Sequence, residues 1–164
     1  MAATYEPIAS TTLGSDTSFI EFMSIPGTFT DLYAVGSFSL STGTAVSCYV
    51  NSVSTTCSNT YLMGDGSSAS SARATGLASL KIAYMNSANT IGDFQVHFMS
   101  YANTNVYKTT LSAWNSTSAT SFPNMGRFVN LSQTTSAITS LKFYSESGNF
   151  KAGTVIGLYG LKAA

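Results

Sequence analysis

Apolar and polar residues alternate with a period of two along most of this 164-residue chain. A period of two places successive side chains on opposite faces of a β-strand. No stretch keeps a helical apolar stripe for more than about three turns, so the alternation predicts strands rather than helices. Nine segments carry it: residues 18–23, 32–40, 46–53, 80–86, 93–101, 106–112, 127–131, 138–144 and 154–161.

Turn-forming residues separate these segments roughly every ten residues. Two examples are the Ile-Pro-Gly sequence at 25–27 and the Gly-Asp-Gly sequence at 64–66. Short strands at this spacing are typical of two antiparallel sheets packed face to face. We therefore predict an all-β fold, an antiparallel β-sandwich of the jelly-roll type in a single domain.

The sandwich is predicted to cover residues 10–164, preceded by an N-terminal arm over residues 1–9. The arm has no clear place in the alternation, and an extended arm can become ordered on a partner surface. The low-complexity stretch at 64–76 has little apolar content and is predicted to be a long exposed loop. Eight residues are predicted to be mostly buried: Leu32, Phe38, Ile82, Phe94, Val96, Phe98, Val155 and Leu158.

Charged residues make up only 9% of the chain, and seven Lys and Arg balance seven Asp and Glu. This balance lacks the basic footprint of a protein that binds nucleic acid or anionic lipid. No window approaches the roughly 18 apolar residues of a membrane span, and the first residues do not form a secretory signal. We expect no nucleic-acid partner, no membrane insertion and folding in a cytoplasm. A surface made polar by hydroxyls and amides rather than by charge favours association.

The two cysteines, Cys48 and Cys57, are too few for a disulfide framework or a four-ligand zinc site. A hairpin centred near residues 52–53 would place them opposite each other, so a disulfide is one alternative. Two free thiols are the favoured alternative, because disulfides do not form reliably in a reducing cytoplasm.

The ionisable residues form no catalytic or metal-binding pattern. His97 is the only histidine, and the alternation places it beside Asp93 and Gln95 on the polar face of its strand, which favours a surface or interface position. The seven acidic residues are scattered and offer no carboxylate pair for glycosidase chemistry. Asp65 lacks the other acids of a calcium loop and is interpreted as a turn residue. We therefore predict no enzymatic activity, no cofactor and no metal.

Aromatic residues are the remaining candidates for binding. Tyr101, Tyr107 and Trp114 lie close together in sequence across a turn, and an exposed cluster of this kind could stack on a sugar ring or anchor a protein interface. Packing in the core is the default for most aromatic residues, and the low charge shifts the balance slightly toward an interface. With the N-terminal arm included, the candidate interface residues are Tyr5, Pro7, Ile8, Tyr101, Tyr107 and Trp114.

Seven segments spread over nearly the whole chain form a recognisable set. They are TTLGS at 11–15, FIEF at 19–22, IPGTFTDL at 25–32, TYLMGDGSSASSAR at 60–73, MSYANTNVYKTTLS at 99–112, TSAITSL at 135–141 and GNFKAGTVIGLYGLKAA at 148–164. Together they resemble the small structural proteins of tailed phages of cyanobacteria and marine bacteria. The last segment is the most specific, and residues 39–58, which contain both cysteines, match least well.

The resemblance implies a jelly-roll virion protein that forms a homotrimer. It carries over no catalytic or ligand-binding residue, because the matching segments are turn and core patterns. We expect a capsid decoration (cement) protein that binds the major capsid protein on the outer surface of the head and is assembled in the host cytoplasm. The alternative is a tail-fibre tip or receptor-binding protein, which would contact other tail proteins and a host surface glycan.

Overall fold

The structure is a computed structural model that describes residues 5–117 and 123–162. Within these residues the chain forms β-strands and no helix, which confirms the predicted all-β class. No helix in this part of the chain could therefore cross a membrane. The strands are β1 (Tyr5–Thr12), β2 (Phe19–Phe22), β3 (Asp31–Phe38), β4 (Ala45–Val50), β5 (Cys57–Gly64), β6 (Ala69–Leu77), β7 (Leu80–Tyr84), β8 (Gly92–Met99), β9 (Lys108–Ser116), β10 (Asn124–Ser132), β11 (Leu141–Ser145) and β12 (Val155–Leu161).

The strands form two antiparallel sheets that pack against each other. The order in the eight-stranded sheet is β1-β12-β3-β8-β9-β10-β5-β6, and in the four-stranded sheet it is β2-β11-β4-β7. Aromatic rings join the two layers, since Phe94 of β8 stacks on Phe143 of β11 with ring centroids 5.6 Å apart. The predicted antiparallel β-sandwich is thus confirmed.

The core lies between the sheets, where the inward positions of most strands are apolar. Seven of the eight residues predicted to be buried are buried, and Val155 is the exception at 37% exposure. Val155 is out of phase with Ile156 and Leu158, the inward residues of β12, so the period of two turns its side chain away from the core. The prediction for Val155 was wrong for this reason.

Two glycines in the large sheet make room for aromatic rings on the neighbouring strand. Gly36 of β3 lies directly opposite Phe94 of β8, and a Cβ at position 36 would come within 2.5 Å of the phenyl ring. Gly126 of β10 lies opposite Trp114 of β9, and a Cβ there would come within 2.8 Å of the indole. The rings therefore cover backbone that glycine leaves bare, and they fill the inner face of the sheet.

Each of the nine predicted segments overlaps an observed strand, but β1, β5 and β6 were not predicted. The prediction of a loop over residues 64–76 was wrong, because residues 69–77 form the edge strand β6. Most side chains of β6 are exposed on both faces, and the strand is held by its pairing with β5. Backbone hydrogen bonding without burial leaves no hydrophobic period in the sequence.

The N-terminal segment also has a place in the sheet. Residues 5–9, predicted to belong to an arm, are the first part of β1 and pair with β12, whereas residues 1–4 lie outside the described residues. Ile8 is partly buried and packs against the core. The pairing shifts between Pro7 and Ala9, and this irregularity breaks the alternation that would have shown the strand.

Candidate interaction surface

Side chains on the outer face of the eight-stranded sheet line up in rows, because the pairing register continues across all eight strands. The first row is Pro7, Tyr159, Tyr33, His97, Leu111, Val129, Thr60 and Arg73. The second row is Ser10, Gly157, Val35, Gln95, Ala113, Arg127, Leu62 and Ser71. The third row is Thr12, Val155, Ser37, Asp93, Asn115, Met125, Gly64 and Ala69. Aromatic and polar residues lie toward β1, and aliphatic residues lie toward β5.

The aliphatic half of this face is strongly exposed. We call it the aliphatic patch, and it consists of Leu62, Leu111, Met125, Val129 and Leu131. Leu62, Met125 and Val129 are 60%, 67% and 56% exposed. Neighbouring strands hold these side chains in register, since Val129 lies directly opposite Leu111. These three large apolar side chains surround Arg127 on the face of the sheet, and exposed apolar side chains clustered in this way are typical of an interaction surface.

The inner faces of β9 and β10, behind the aliphatic patch, carry mostly polar residues. Trp114, Gly126 and Phe128 are the inward exceptions. The buried polar residues of these strands are Lys108, Thr110, Ser112, Ser116, Asn124, Asn130 and Ser132. Burying polar groups and exposing aliphatic ones inverts the usual arrangement of a half-buried strand. The inversion indicates that the outer side of these two strands is adapted to being covered.

Specific hydrogen bonds accommodate several of the buried polar groups. The amide of Asn130 donates to the carbonyl oxygen of Lys81 and accepts from its backbone N–H, both at 3.0 Å, and it also donates to the Thr110 hydroxyl at 3.0 Å. The ammonium group of Lys108 donates to the carbonyl oxygens of Val106 and Thr135, at 3.2 Å and 3.3 Å. Burial lowers the pKa of Lys108. These hydrogen bonds reduce the free-energy cost of burying polar groups on the inner face.

One arginine lies inside the aliphatic patch and another lies at its edge. Arg127 and Arg73 project from the outer face at the second and first rows, and neither forms an ion pair with a described residue. Of the carboxylates on the same face, Asp93 also has no ion-pair partner among the described residues, and it lies four strands away from Arg73 and two from Arg127 in sheet order. The patch therefore includes the cationic Arg127, between Met125 and Val129, and has no carboxylate inside it.

A groove crosses the outer face from β1 to β10, perpendicular to the strands, and meets the aliphatic patch at Met125. It consists of two adjoining depressions of about 570 Å³ and 350 Å³, which meet at Val35 and Asp93. Its floor is low because the second row has small side chains at Gly157 and Ala113. Tyr159 lies at one end of the groove and Met125 at the other.

The predicted interface residues have different environments in the structure. Tyr5, Pro7 and Tyr107 are exposed, and Ile8 is partly buried. Tyr101 and Trp114 are buried, so the prediction that they are exposed on a binding surface was wrong. The Tyr101 hydroxyl bonds the Pro26 carbonyl and accepts from the Phe29 N–H at 3.3 Å, which holds the ring inside. Trp114 lies at an inward position of β9, where its indole covers Gly126.

His97 and Asp65, the two residues considered for catalysis and metal binding, each contact neighbouring residues of the fold. His97 is partly exposed at the outer face, and its Nε2 lies 2.8 Å from Asp31 Oδ2. Asp65 accepts hydrogen bonds from the Ser67 and Ser68 N–H groups, which lower its pKa to about 2 and bear out its interpretation as a turn residue. The described part of the chain contains no cluster of three or more His, Cys, Asp or Glu side chains that could hold a metal ion.

Both cysteines are free and buried, as the favoured alternative stated. Cys48 lies on β4 in the small sheet and Cys57 on β5 in the large one, so the chain crosses between layers where a hairpin was considered. Burial raises the pKa of Cys48 well above its usual value. A neutral buried thiol is a packing group and a poor nucleophile.

The aliphatic patch was not identified from the sequence, although β10 carries a usable indication of it. Apolar residues occupy odd positions at Met125, Val129 and Leu131, while polar residues occupy even positions at Asn130 and Ser132. Phe128 breaks this pattern because it is buried at an even position. A large aromatic residue out of phase with smaller aliphatic ones indicates which face is inward, and it leaves the aliphatic residues outside.

Comparisons with known proteins do not add to this picture. No protein-family model matches the chain, and no curated protein matches it. One solved structure, described as that of a candidate pore-forming toxin from Bacteroides vulgatus, aligns with 85% of this chain at 8% sequence identity and a TM-score of 0.11. The chain spans 60% of the length of that structure. A TM-score this low does not indicate a shared fold.

Proposed function

We propose that this protein is a non-enzymatic structural protein of a tailed-phage virion, a jelly-roll decoration protein that binds the major capsid protein on the outside of the head. It would assemble as a homotrimer in the host cytoplasm. The sequence resemblance motivates the virion and the number three. The observation that supports an adhesive role is that β9 and β10 bury polar residues and leave an ordered aliphatic surface exposed to solvent.

The size of the aliphatic patch fits weak binding by one copy. Three strands of nine residues or fewer, at the usual strand spacing and rise, present about 400 Å² of sheet face. A stable complex buries about 800 Å² per partner, so a single patch falls short. A trimer presents three patches to the shell at once, and such multivalency raises the overall affinity without any new contact.

The arginines in and beside the patch indicate the charge of the partner surface. Arg73 and Arg127 have no carboxylate partner among the described residues. Arginine is enriched at protein interfaces because its planar guanidinium can bind a carboxylate through two hydrogen bonds. We therefore propose that the capsid surface under the patch is apolar and has acidic residues opposite Arg127 and Arg73.

Binding to capsids that lack the protein tests this proposal. Val129→Asp places a charge in the middle of the patch at an exposed position, so it should fold normally and weaken capsid binding at least tenfold. Met23→Asp is the matched control, because Met23 is an exposed apolar residue outside the patch and should bind as wild type does. Undiminished binding by a folded Val129→Asp trimer would overturn the assignment.

Light scattering tests the oligomeric state. It should report three times the monomer mass, and a monomer at every concentration would contradict the trimer.

The second candidate is a tail-fibre tip or receptor-binding protein, in contact with other tail proteins and a host surface glycan. The groove on the outer face favours it, since Tyr159, Asp93 and Asn115 offer stacking and hydrogen-bonding groups in one channel. Copy number in purified virions separates the two candidates. Hundreds of copies per particle support decoration, and tens or fewer support a tail location.

A further inference from the structure

The groove across the outer face contains polar side chains that are free to bind a ligand. Asp93 and Asn115 lie directly opposite each other in the third row, and neither side chain hydrogen-bonds to another described residue. Gln95 accepts a hydrogen bond from the Tyr33 hydroxyl, which fixes the amide and leaves its NH₂ group available to donate. The groove thus offers a carboxylate that accepts and two amides that donate, within two neighbouring strands.

Tyr159 adds an aromatic surface to the same groove. Its ring leans along β12 over Gly157, where a Cβ would lie 3.2 Å from the ring. Glycine at this position lets the phenol sit low on the sheet at the side of the groove. An aromatic ring beside fixed polar groups suits a ligand with one apolar face and hydroxyls at its edge, as a pyranose ring has.

The shape and charge of the groove disfavour other classes of ligand. The groove crosses the strands, and the backbone groups of its floor are already bonded within the sheet, so a peptide could not add as a strand. No Lys or Arg side chain lines the two depressions, and Asp93 lies where they meet, which opposes phosphate and sulfate groups. A neutral ligand rich in hydroxyls meets neither obstacle.

The length of the groove indicates a chain of sugars rather than a single one. It extends from Ser10 on β1 to Met125 on β10, across six adjacent strands. At the usual strand spacing this is about 24 Å. We propose that this groove binds a neutral oligosaccharide, with Tyr159 stacking on a sugar ring and Asp93, Gln95 and Asn115 binding hydroxyls along the chain.

This inference goes beyond capsid binding and does not rest on it, because the groove and the aliphatic patch share Met125 alone and otherwise consist of different residues. The full-length protein is titrated with a panel of defined neutral oligosaccharides, and the side-chain amide signals of Gln95 and Asn115 are followed by NMR. Acidic oligosaccharides and short peptides serve as comparison ligands. At least one neutral oligosaccharide should shift both amide signals.

Two groove variants and one control test the assignment of residues. Tyr159→Ala and Asp93→Ala should each weaken binding of that oligosaccharide at least tenfold. Asp93 is exposed and makes no hydrogen bond to a described residue, so Asp93→Ala keeps the test valid if Tyr159→Ala fails to fold. Tyr107→Ala removes an exposed tyrosine outside the groove and should bind as wild type does.

Three results would overturn the inference: no neutral oligosaccharide shifts the two amide signals, acidic oligosaccharides or peptides bind more tightly than every neutral one, or both folded groove variants bind as wild type does. Failure here is distinguishable from failure of the capsid proposal. Tyr159→Ala should retain capsid binding, and Val129→Asp should retain oligosaccharide binding.

Discussion

The side-chain amide of Asn130 on β10 forms two hydrogen bonds with the backbone of Lys81 on β7, one through its oxygen and one through its nitrogen. Strand β7 is an edge of the small sheet, paired with β4 on one side and with no strand of that sheet on the other. Asn130 therefore acts as a substitute for a strand and joins the two sheets through polar groups. This contact explains how a polar inner face can hold the layers together.

Replacing Asn130 should destabilise the fold. Asn130→Ala leaves the Lys81 N–H and carbonyl without these partners in a buried place, and we expect the free energy of unfolding to fall by about 1–3 kcal/mol. Urea denaturation followed by fluorescence measures the loss. Asn115→Ala, at an exposed site on the same sheet, is the control and should change stability by less than about 0.5 kcal/mol. Equal stability of the two variants would contradict the role of Asn130.

The close approach of Phe94 to Gly36 leads to a second prediction about stability. A methyl group at position 36 would overlap the phenyl ring, so Gly36→Ala should destabilise the protein by about 1–3 kcal/mol and lower its melting temperature. Gly27→Ala is the control, since nothing lies within 4 Å of a Cβ there. Shortening the ring in Gly36→Ala/Phe94→Leu should recover part of the loss. A double variant whose losses simply add would show that the two residues are not coupled.

The hydrogen-bonded turn at Asp65 is expected to depend on pH in the acid range. Its carboxylate accepts hydrogen bonds from the Ser67 and Ser68 amides, so its pKa in the folded turn is about 2, below the ordinary 3.8. A lowered carboxyl pKa stabilises the folded form above the ordinary pKa, and that contribution is lost as pH falls from about 4 to about 2. The two serine amide signals should titrate together near pH 2 by NMR, and Asp65→Asn should abolish this titration. A midpoint near pH 4 would refute the hydrogen-bonded turn.

The cysteines are expected to be inert in the folded protein. Cys48 and Cys57 are buried and unpaired, so a thiol reagent such as Ellman's reagent should react with neither until the chain unfolds, when two thiols per chain appear. Wild type should melt at the same temperature with and without a reducing agent. A melting temperature several degrees higher under oxidising conditions would instead indicate a structural disulfide.

The all-β class, nine of the strands and most of the core can be predicted from the amino-acid sequence. These follow from the period of two, since Leu32, Phe38, Phe94 and Phe98 are large apolar residues in phase with their strands and are buried in any sandwich that uses them. The turn at Asp65 could also be predicted, because it depends on local contacts alone. The Asp65 carboxylate accepts hydrogen bonds from the N–H groups two and three residues later in the chain, and no other part of the chain is needed.

Which face of each strand is covered depends on how the two sheets pack. Trp114 and Tyr101 are buried, and Val129 and Met125 are exposed, because the small sheet covers one side of β9 and β10 and leaves the other side open. The edge strand β6 and the groove residues Asp93, Asn115 and Tyr159 also depend on pairing between segments far apart in sequence. Local alternation divides the side chains between the two faces of a strand, but which face is buried depends on how the whole sheets pack.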